Sequence, residues 1–402
     1  MTGPRREGDR ARAALALVAG VAVALACVAG AARWSPREAR PTSAAAGRAL
    51  VADDAGPLAE VMLHWLPEEE EAILPTYRDF LATLPRGVRV TFVIPTGREA
   101  ALRAFLRRAA PAVADAARAV EVDVPLGIWS RDRALALGGA DGDPRPTLLV
   151  PPRPRAGEGS RARDWDIVPA VARAAPDRYR IRALPFAFDG GDFAVAGDRV
   201  VVDVNLFGRN KGRGARSPEE LRARVSAALE RPVVMLGEAE GDVPRHHMGM
   251  YMAPVGGGVV LVGDPEAGAR VVGDGFAPGE RSPETGEPLR ADASPEVVAH
   301  FARAARDLEA AGFRVVRVPT VAFDDRTYFA YTNAVYETRE GRRTAWMPTY
   351  GVPALDDAAR AVHESLGFRV HPVPVRAVYH RHGTLGCLVN VVARGRPGRG
   401  PA

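Results

Sequence analysis

Four short stretches of this chain carry side chains that could do chemistry. Trp129-Ser130-Arg131-Asp132 offers an aromatic face and a carboxylate. Phe188-Asp189-Gly190-Gly191-Asp192 sets two acids around a glycine pair, and glycine lets a backbone come close to a ligand. His246-His247-Met248-Gly249-Met250-Tyr251 supplies imidazoles, and Gly383-Thr384-Leu385-Gly386-Cys387 ends in a thiol. Taken singly, each has a plainer reading. Asp132 beside Arg131 and Arg133 reads as a surface ion pair, Gly190-Gly191 as a turn, and Cys387 in LGCLVNVV as a small buried hydrophobe on a strand. Together they supply a nucleophilic sulfur, an imidazole acid/base and carboxylates for a cation. That combination suits attack of a thiolate on a cationic amidine carbon.

Other chemistries lack an anchor. The chain has no G-x-x-x-x-G-K-[ST] loop, no C-x-x-C pair and no H-E-x-x-H, so the common nucleotide, zinc-knuckle and zincin readings fall away. Its two cysteines are Cys27, inside an apolar N-terminal run, and Cys387, so the body holds one thiol and no internal disulfide. An unpaired thiol is a liability in an exported protein, which favours its retention for reactivity.

The elements that must position these stretches follow from hydrophobic periodicity. From residue 58, apolar β-like runs alternate with amphipathic stretches: VMLHW, EAILPTYRDFLATL, VRVTFVIP, REAALRAFLRRAA and AVEVDV come first. The pattern is α/β. Units of a hairpin, a helix and a returning strand recur, with strands expected over ALPFAF, FAVAG and RVVVDV, and turns at Ala196-Gly197-Asp198, Gly256-Gly257-Gly258 and Glu340-Gly341-Arg342. Such recurrence implies modules packed around an axis. PPRPRAGEGSRARD (151–164) reads as an inserted surface loop.

In these motifs the chain resembles the agmatine deiminase and bacterial peptidylarginine deiminase group of guanidino-modifying, or pentein, enzymes. The resemblance rests on WSRD, on the (D/E)GG(D/N)-like stretch, on the H-x-D-M-Y-like stretch, on YTN with MPTYGVPALDDAA (331–359), and on the glycine-rich segment ending in Cys387. It spans roughly residues 58 to 393 in order. It implies a five-bladed α/β propeller of ββαβ modules with the site at its axis, and hydrolysis of a guanidinium to a ureido group with release of ammonia. By the same resemblance Cys387 is the nucleophile, His247 the proton donor and later the activator of water, and Asp132 the ligand of the guanidinium nitrogens. Trp129, Asp189 and Asp192 then line the substrate pocket, while Asn333 falls in a matching stretch without an assigned role. The implied ligand is a small guanidino compound or an arginine-containing peptide, with no metal or organic cofactor. A homodimer face is common in the relatives that the chain resembles.

Two departures stand out. The family's H-x-D places a carboxylate where this chain has Gly249, and its usual His before the nucleophile is Gly386. Losing one carboxylate that grips a guanidinium removes a charge-assisted bond of about 1.5–3 kcal/mol, roughly tenfold to a hundredfold if fully felt in the transition state. The alternatives are therefore a weakened deiminase, a deiminase for a changed substrate, a silent relative that still binds a guanidino ligand, or another cysteine hydrolase or amidinotransferase.

The formal charge of +5 comes from 54 basic and 49 acidic residues, but seven arginines against three acids within residues 1–41 account for most of it. No nucleic-acid-binding face is indicated. Arg5, Arg6, Arg10 and Arg12 precede the apolar run Ala13–Ala32, about the length that crosses a bilayer as a helix. The body is thus expected outside the cytoplasm, with membrane contact through residues 13–32 if the segment is retained. A signal anchor, a cleaved signal peptide and lipidation at Cys27 all fit. The expected organisation is an N-terminal hydrophobic helix with its flank (1–41), a linker (42–57), the pentein domain (58–393) and a loose basic tail (394–402).

Overall fold

The computed structural model describes residues 49–395, apart from 55, 140–142, 154–161, 274 and 325. The expected N-terminal hydrophobic helix, most of the inserted loop and the tail beyond 395 lie outside the described residues. Among those described, no helix is long and apolar enough to cross a membrane.

The chain folds as an α/β protein. Strands β1 (Leu58–His64), β2 (Arg89–Pro95) and β3 (Arg118–Val122) come first, followed by β4 (Leu135–Leu137), β5 (Thr147–Val150) and β6 (Arg180–Ala183). Next are β7 (Ala194–Ala196), β8 (Arg199–Asp203), β9 (Val233–Leu236), β10 (Met252–Gly256), β11 (Val259–Asp264) and β12 (Arg314–Pro319). The short pair β13 (Val321–Ala322) and β14 (Tyr328–Phe329) precedes β15 (Val335–Arg339), β16 (Arg342–Thr349), β17 (Phe368–Pro374) and β18 (Val389–Arg394). They form separate sheets rather than one continuous sheet: β4-β5-β6, β7-β8-β9, β10-β11-β12, β15-β16-β17 and β18-β1-β2-β3, beside the ribbon β13-β14.

Each larger sheet begins with an antiparallel pair and continues with a parallel one. A parallel neighbour needs a long crossover, and helices supply it. Ile167–Ala174, Pro218–Leu229, Pro295–Ala310 and Pro353–Ser365 link the parallel pairs of the three-stranded sheets. The helix Glu70–Ala82, between β1 and β2, buries Ile73, Tyr77, Phe80 and Leu81, the three-to-four spacing of one helical face. At the β15–β16 hairpin, Glu340 and Gly341 both take positive φ (52° and 76°) between the paired Arg339 and Arg342, as a two-residue turn matched to strand twist requires.

Two expectations need correcting. Residues 184–188 form no strand; Phe186, Phe188 and Phe193 instead make a buried aromatic cluster. LGCLVNVV is not one strand either, because a helical turn, Leu385–Leu388, precedes β18, so Cys387 stands at a helix-to-strand junction. Leu50 bridges Leu137, and the half-buried Arg394 donates to the carbonyls of Asp53 (3.1 Å), Gly56 (2.9 Å) and Tyr336 (2.9 Å). The described end of the linker and the first residue of the tail are thus packed parts of the body.

Candidate active site

All four stretches meet, and glycines at van der Waals limits are the reason. A Cβ on Gly190 would lie 2.2 Å from the Arg131 carbonyl oxygen, and one on Gly191 2.5 Å from Cγ of His247. A Cβ on Gly383 would lie 2.6 Å from the Trp129 ring. Neither Gly190 nor Gly191 has positive φ, so close approach rather than turn geometry demands the pair. The Gly190–Asp192 turn is locked by its own ends, since the Asp189 N–H donates to the Asp192 carboxylate at 2.7 Å.

The six side chains singled out in the sequence, Trp129, Asp132, Asp189, Asp192, His247 and Cys387, line one cavity of about 670 Å³. His247 lies between carboxylates: Nδ1 is 3.4 Å from Asp132, Nε2 is 3.4 Å from Asp189 and 3.9 Å from Asp192. Burial works against a charge on this ring, but Asp132, the bond to Asp189 and a bond to the Cys387 side chain outweigh it, and the pKa is held well above 6.5. These surroundings therefore favour the charged form of the His247 ring. Burial likewise opposes ionisation of Asp189, yet His247 and Arg209 pull its pKa below the usual carboxylate range. At Asp192 burial wins and the pKa is raised. His246 is different. Its Nδ1 accepts the His247 N–H at 2.7 Å, and burial together with the neighbouring His247 charge pushes its pKa well down, so it stays neutral.

Sequence reasoning missed two neighbours, Arg209 and Asp203, and left a third, Asn333, without a role. Arg209, on the helix Asn205–Asn210, lays its guanidinium across Asp189 (2.7 Å) and Asp192 (3.3 Å). Asp203, at the end of β8, accepts from the Tyr251 hydroxyl at 2.8 Å and is pushed up to about 7 by burial. Asn333 contacts the Cys387 sulfur, its Nδ2 at 3.5 Å. The matched YTN stretch was the only available signal for Asn333; Arg209 looked like any other arginine of an arginine-rich chain. Gly249 does leave the position two after His247 without a carboxylate, and Asn333 stands against it. Among the described residues no group of three or more His, Cys, Asp or Glu side chains is arranged to hold a metal ion.

The fold and this cavity define an α/β protein built of repeated sheet-and-helix units with a thiol–imidazolium–carboxylate cluster. No protein-family model matches the sequence. No curated protein matches it either. Solved structures do match: the agmatine deiminase of C. jejuni aligns at a TM-score of 0.60 and 14% identity, over 87% of this chain and 98% of that one. The agmatine deiminase of Enterococcus faecalis aligns at 0.60 and 14% identity, over 86% and 95%. The chain thus has the fold of the agmatine deiminases.

Proposed function

We propose that the protein is a cysteine-dependent hydrolase of a guanidinium group. The observation that carries this is His247, held 3.4 Å from both Asp132 and Asp189 beside the only cysteine of the body, in a cavity rich in carboxylates. The Cys387 thiolate attacks the planar guanidinium carbon. His247 gives its proton to the departing nitrogen, ammonia leaves, and a thiouronium remains on sulfur. Neutral His247 then takes a proton from water as it adds to that carbon; the C–S bond breaks, and a ureido product and free Cys387 result. Overall, guanidinium plus water gives urea plus ammonium.

Asp132 is the acid proposed to grip the substrate nitrogens, with Trp129 as a wall of the pocket. Arg209 shows what Asp189 and Asp192 can span: a guanidinium already lies on them, and the substrate's own group takes its place when Arg209, 42% exposed at its side chain, swings aside. That same internal cation favours a second reading, a protein that binds guanidino ligands without turnover. We further take the five sheets as blades of a propeller, which contacts between β7 and β10 and between β18 and β4 support. From the N-terminal arginines and apolar run we place the body outside the cytoplasm.

The test measures ammonia and ureido release by residues 42–402 from agmatine, arginine and arginine peptides. Turnover with one of these that disappears in Cys387→Ser is the expected result. Saturable guanidinium binding with no product from any of the three would replace hydrolysis with the second reading.

A further inference from the structure

His247 and Cys387 form a partition between two cavities. On one side is the large, carboxylate-lined cavity; on the other is a small one of about 70 Å³, and among the described residues these two alone line both. Close-packed interiors leave few voids larger than a water molecule, so one directly behind a thiol calls for a reason. The small cavity has room for about two water-sized molecules, too little for a guanidino compound. Ala194 on β7, Ala253 and Pro254 on β10, Val335 on β15 and Val391 on β18 line it, each from the antiparallel end strand of its sheet. It follows β18 away from Cys387, past Val389 and Val391, two positions apart on one face, to Arg394. At that end the Arg131 guanidinium meets the Asp53 carboxylate at 2.9 Å, and Arg394 holds the Asp53 carbonyl at 3.1 Å. The side chains of Arg131 and Asp53 keep 17% and 23% exposure, so this ion pair stands between the cavity and solvent. The turn Ser130–Arg133 serves both sides, with Asp132 lining the large cavity and Arg131 the small one.

We propose that the small cavity is a passage for ammonia, by which it leaves the site while the rest of the substrate stays bound through sulfur. The inference rests on the proposed hydrolysis. When the C–N bond breaks with a proton from His247, the departing molecule is neutral ammonia. The thiouronium then keeps the substrate's tail in the large cavity, across the way it came in. Ammonia must nevertheless leave before water takes its place at the same carbon. A neutral, water-sized molecule fits the apolar passage, whereas an ammonium ion would have to give up its hydration and the ureido product is too large. The passage thus sorts by size and charge, and the hydrolytic water enters by the same way.

The test uses the full chain and whichever of agmatine, arginine and an arginine peptide it hydrolyses. Ala194→Leu and Val391→Phe, which fill the passage, are expected to lower kcat about tenfold at unchanged KM, as a slowed release step does. Overpacking can also unfold a protein, so Val391→Ala, which widens the passage, supplies a second arm. Methylamine added at alkaline pH is expected to reach the thiouronium in this variant. Its nitrogen adds to the carbon and loses a proton, the C–S bond breaks, and free Cys387 and an N-methylguanidine result. The yield of that compound, read by mass, is expected to exceed the wild-type yield several-fold, with KM for the substrate unchanged. Unmoved kcat in both filled variants, or an unmoved N-methylguanidine yield in Val391→Ala, overturns the passage and leaves the hydrolysis standing. If the filled variants do not fold, Val391→Ala decides alone. A wild type that releases ammonia from none of the three compounds overturns both, since the passage then has no cargo.

Discussion

His247 has a carboxylate opposite each ring nitrogen, Asp132 at Nδ1 and Asp189 at Nε2, both at 3.4 Å. The charged ring is therefore worth more in the folded protein than in the unfolded chain, and its pKa rises on folding despite burial. The stability this contributes is fully present below the unfolded value of about 6.5 and is lost as pH climbs through the raised folded value. We expect the urea midpoint of the wild type to fall on the alkaline side, with a slope approaching about 1.4 kcal/mol per pH unit where His247 titrates. His247→Gln is expected to remove that part of the slope; identical pH profiles for the two proteins would contradict the imidazolium assignment. The same residue shows how much of the site was legible. Its type and its place near glycine marked it as an acid/base, but its charge state depends on acids 115 and 58 residues away in the sequence, whose approach no local pattern encodes.

Among the elements, the helix Pro353–Ser365 explains why Tyr350-Gly351-Val352-Pro353 and Asp356 form so recognisable a stretch. The Asp356 carboxylate accepts from the backbone N–H groups of Tyr350 (3.0 Å), Gly351 (3.0 Å) and Val352 (3.1 Å), and from the Tyr331 hydroxyl at 2.7 Å. It folds the turn before the helix back onto its first turn and fastens it to Tyr331, two residues before Asn333. The motif is thus a staple behind the site rather than a part of its chemistry. Asp356→Ala leaves four donors to find other partners, each costing about 1–3 kcal/mol if it stays buried. Allowing for water at some of them, we expect a loss of about 3 kcal/mol in urea unfolding and slower alkylation of Cys387. A change below about 1 kcal/mol would mean that the staple is dispensable. Element existence was largely legible here because helical and strand periodicities are local. The misread strands, ALPFAF and LGCLVNVV, are apolar runs whose burial comes from all sides, and such runs carry no period to separate strand from turn.

For the molecule as a whole, the two ends of the described chain close on each other. β1 pairs antiparallel with β18, and Arg394 ties residues 53 and 56 to Tyr336 on β15. The cluster is electrically tense: burial disfavours the Arg394 charge, Asp53 and Asp54 support it, and burial lifts Asp54 to about 6. Arg394→Met keeps the apolar stem but abandons three carbonyls. With hydrogen bonds from a charged group worth about 1.5–3 kcal/mol each, offset by the cost of burying the guanidinium, we expect a net loss of about 2 kcal/mol. Limited proteolysis should then cut first within residues 49–57; an unchanged cleavage pattern would show that this segment is held by other contacts.

The sequence by itself determined the α/β alternation, the hairpin turns and the residue types of a thiol–imidazole–carboxylate chemistry, because all of these are written in neighbours a few positions apart. Only the tertiary structure decided that Gly190, Gly191 and Gly383 press against Arg131, His247 and Trp129, that Arg209 lies across two of the expected substrate carboxylates, and that Asn333 stands between Gly249 and Gly386. A glycine whose missing side chain is excluded by an atom 53 or 84 residues away leaves no local signature. The physical reason is that steric exclusion and ion pairing act through space, whereas periodicity and turn chemistry act along the chain.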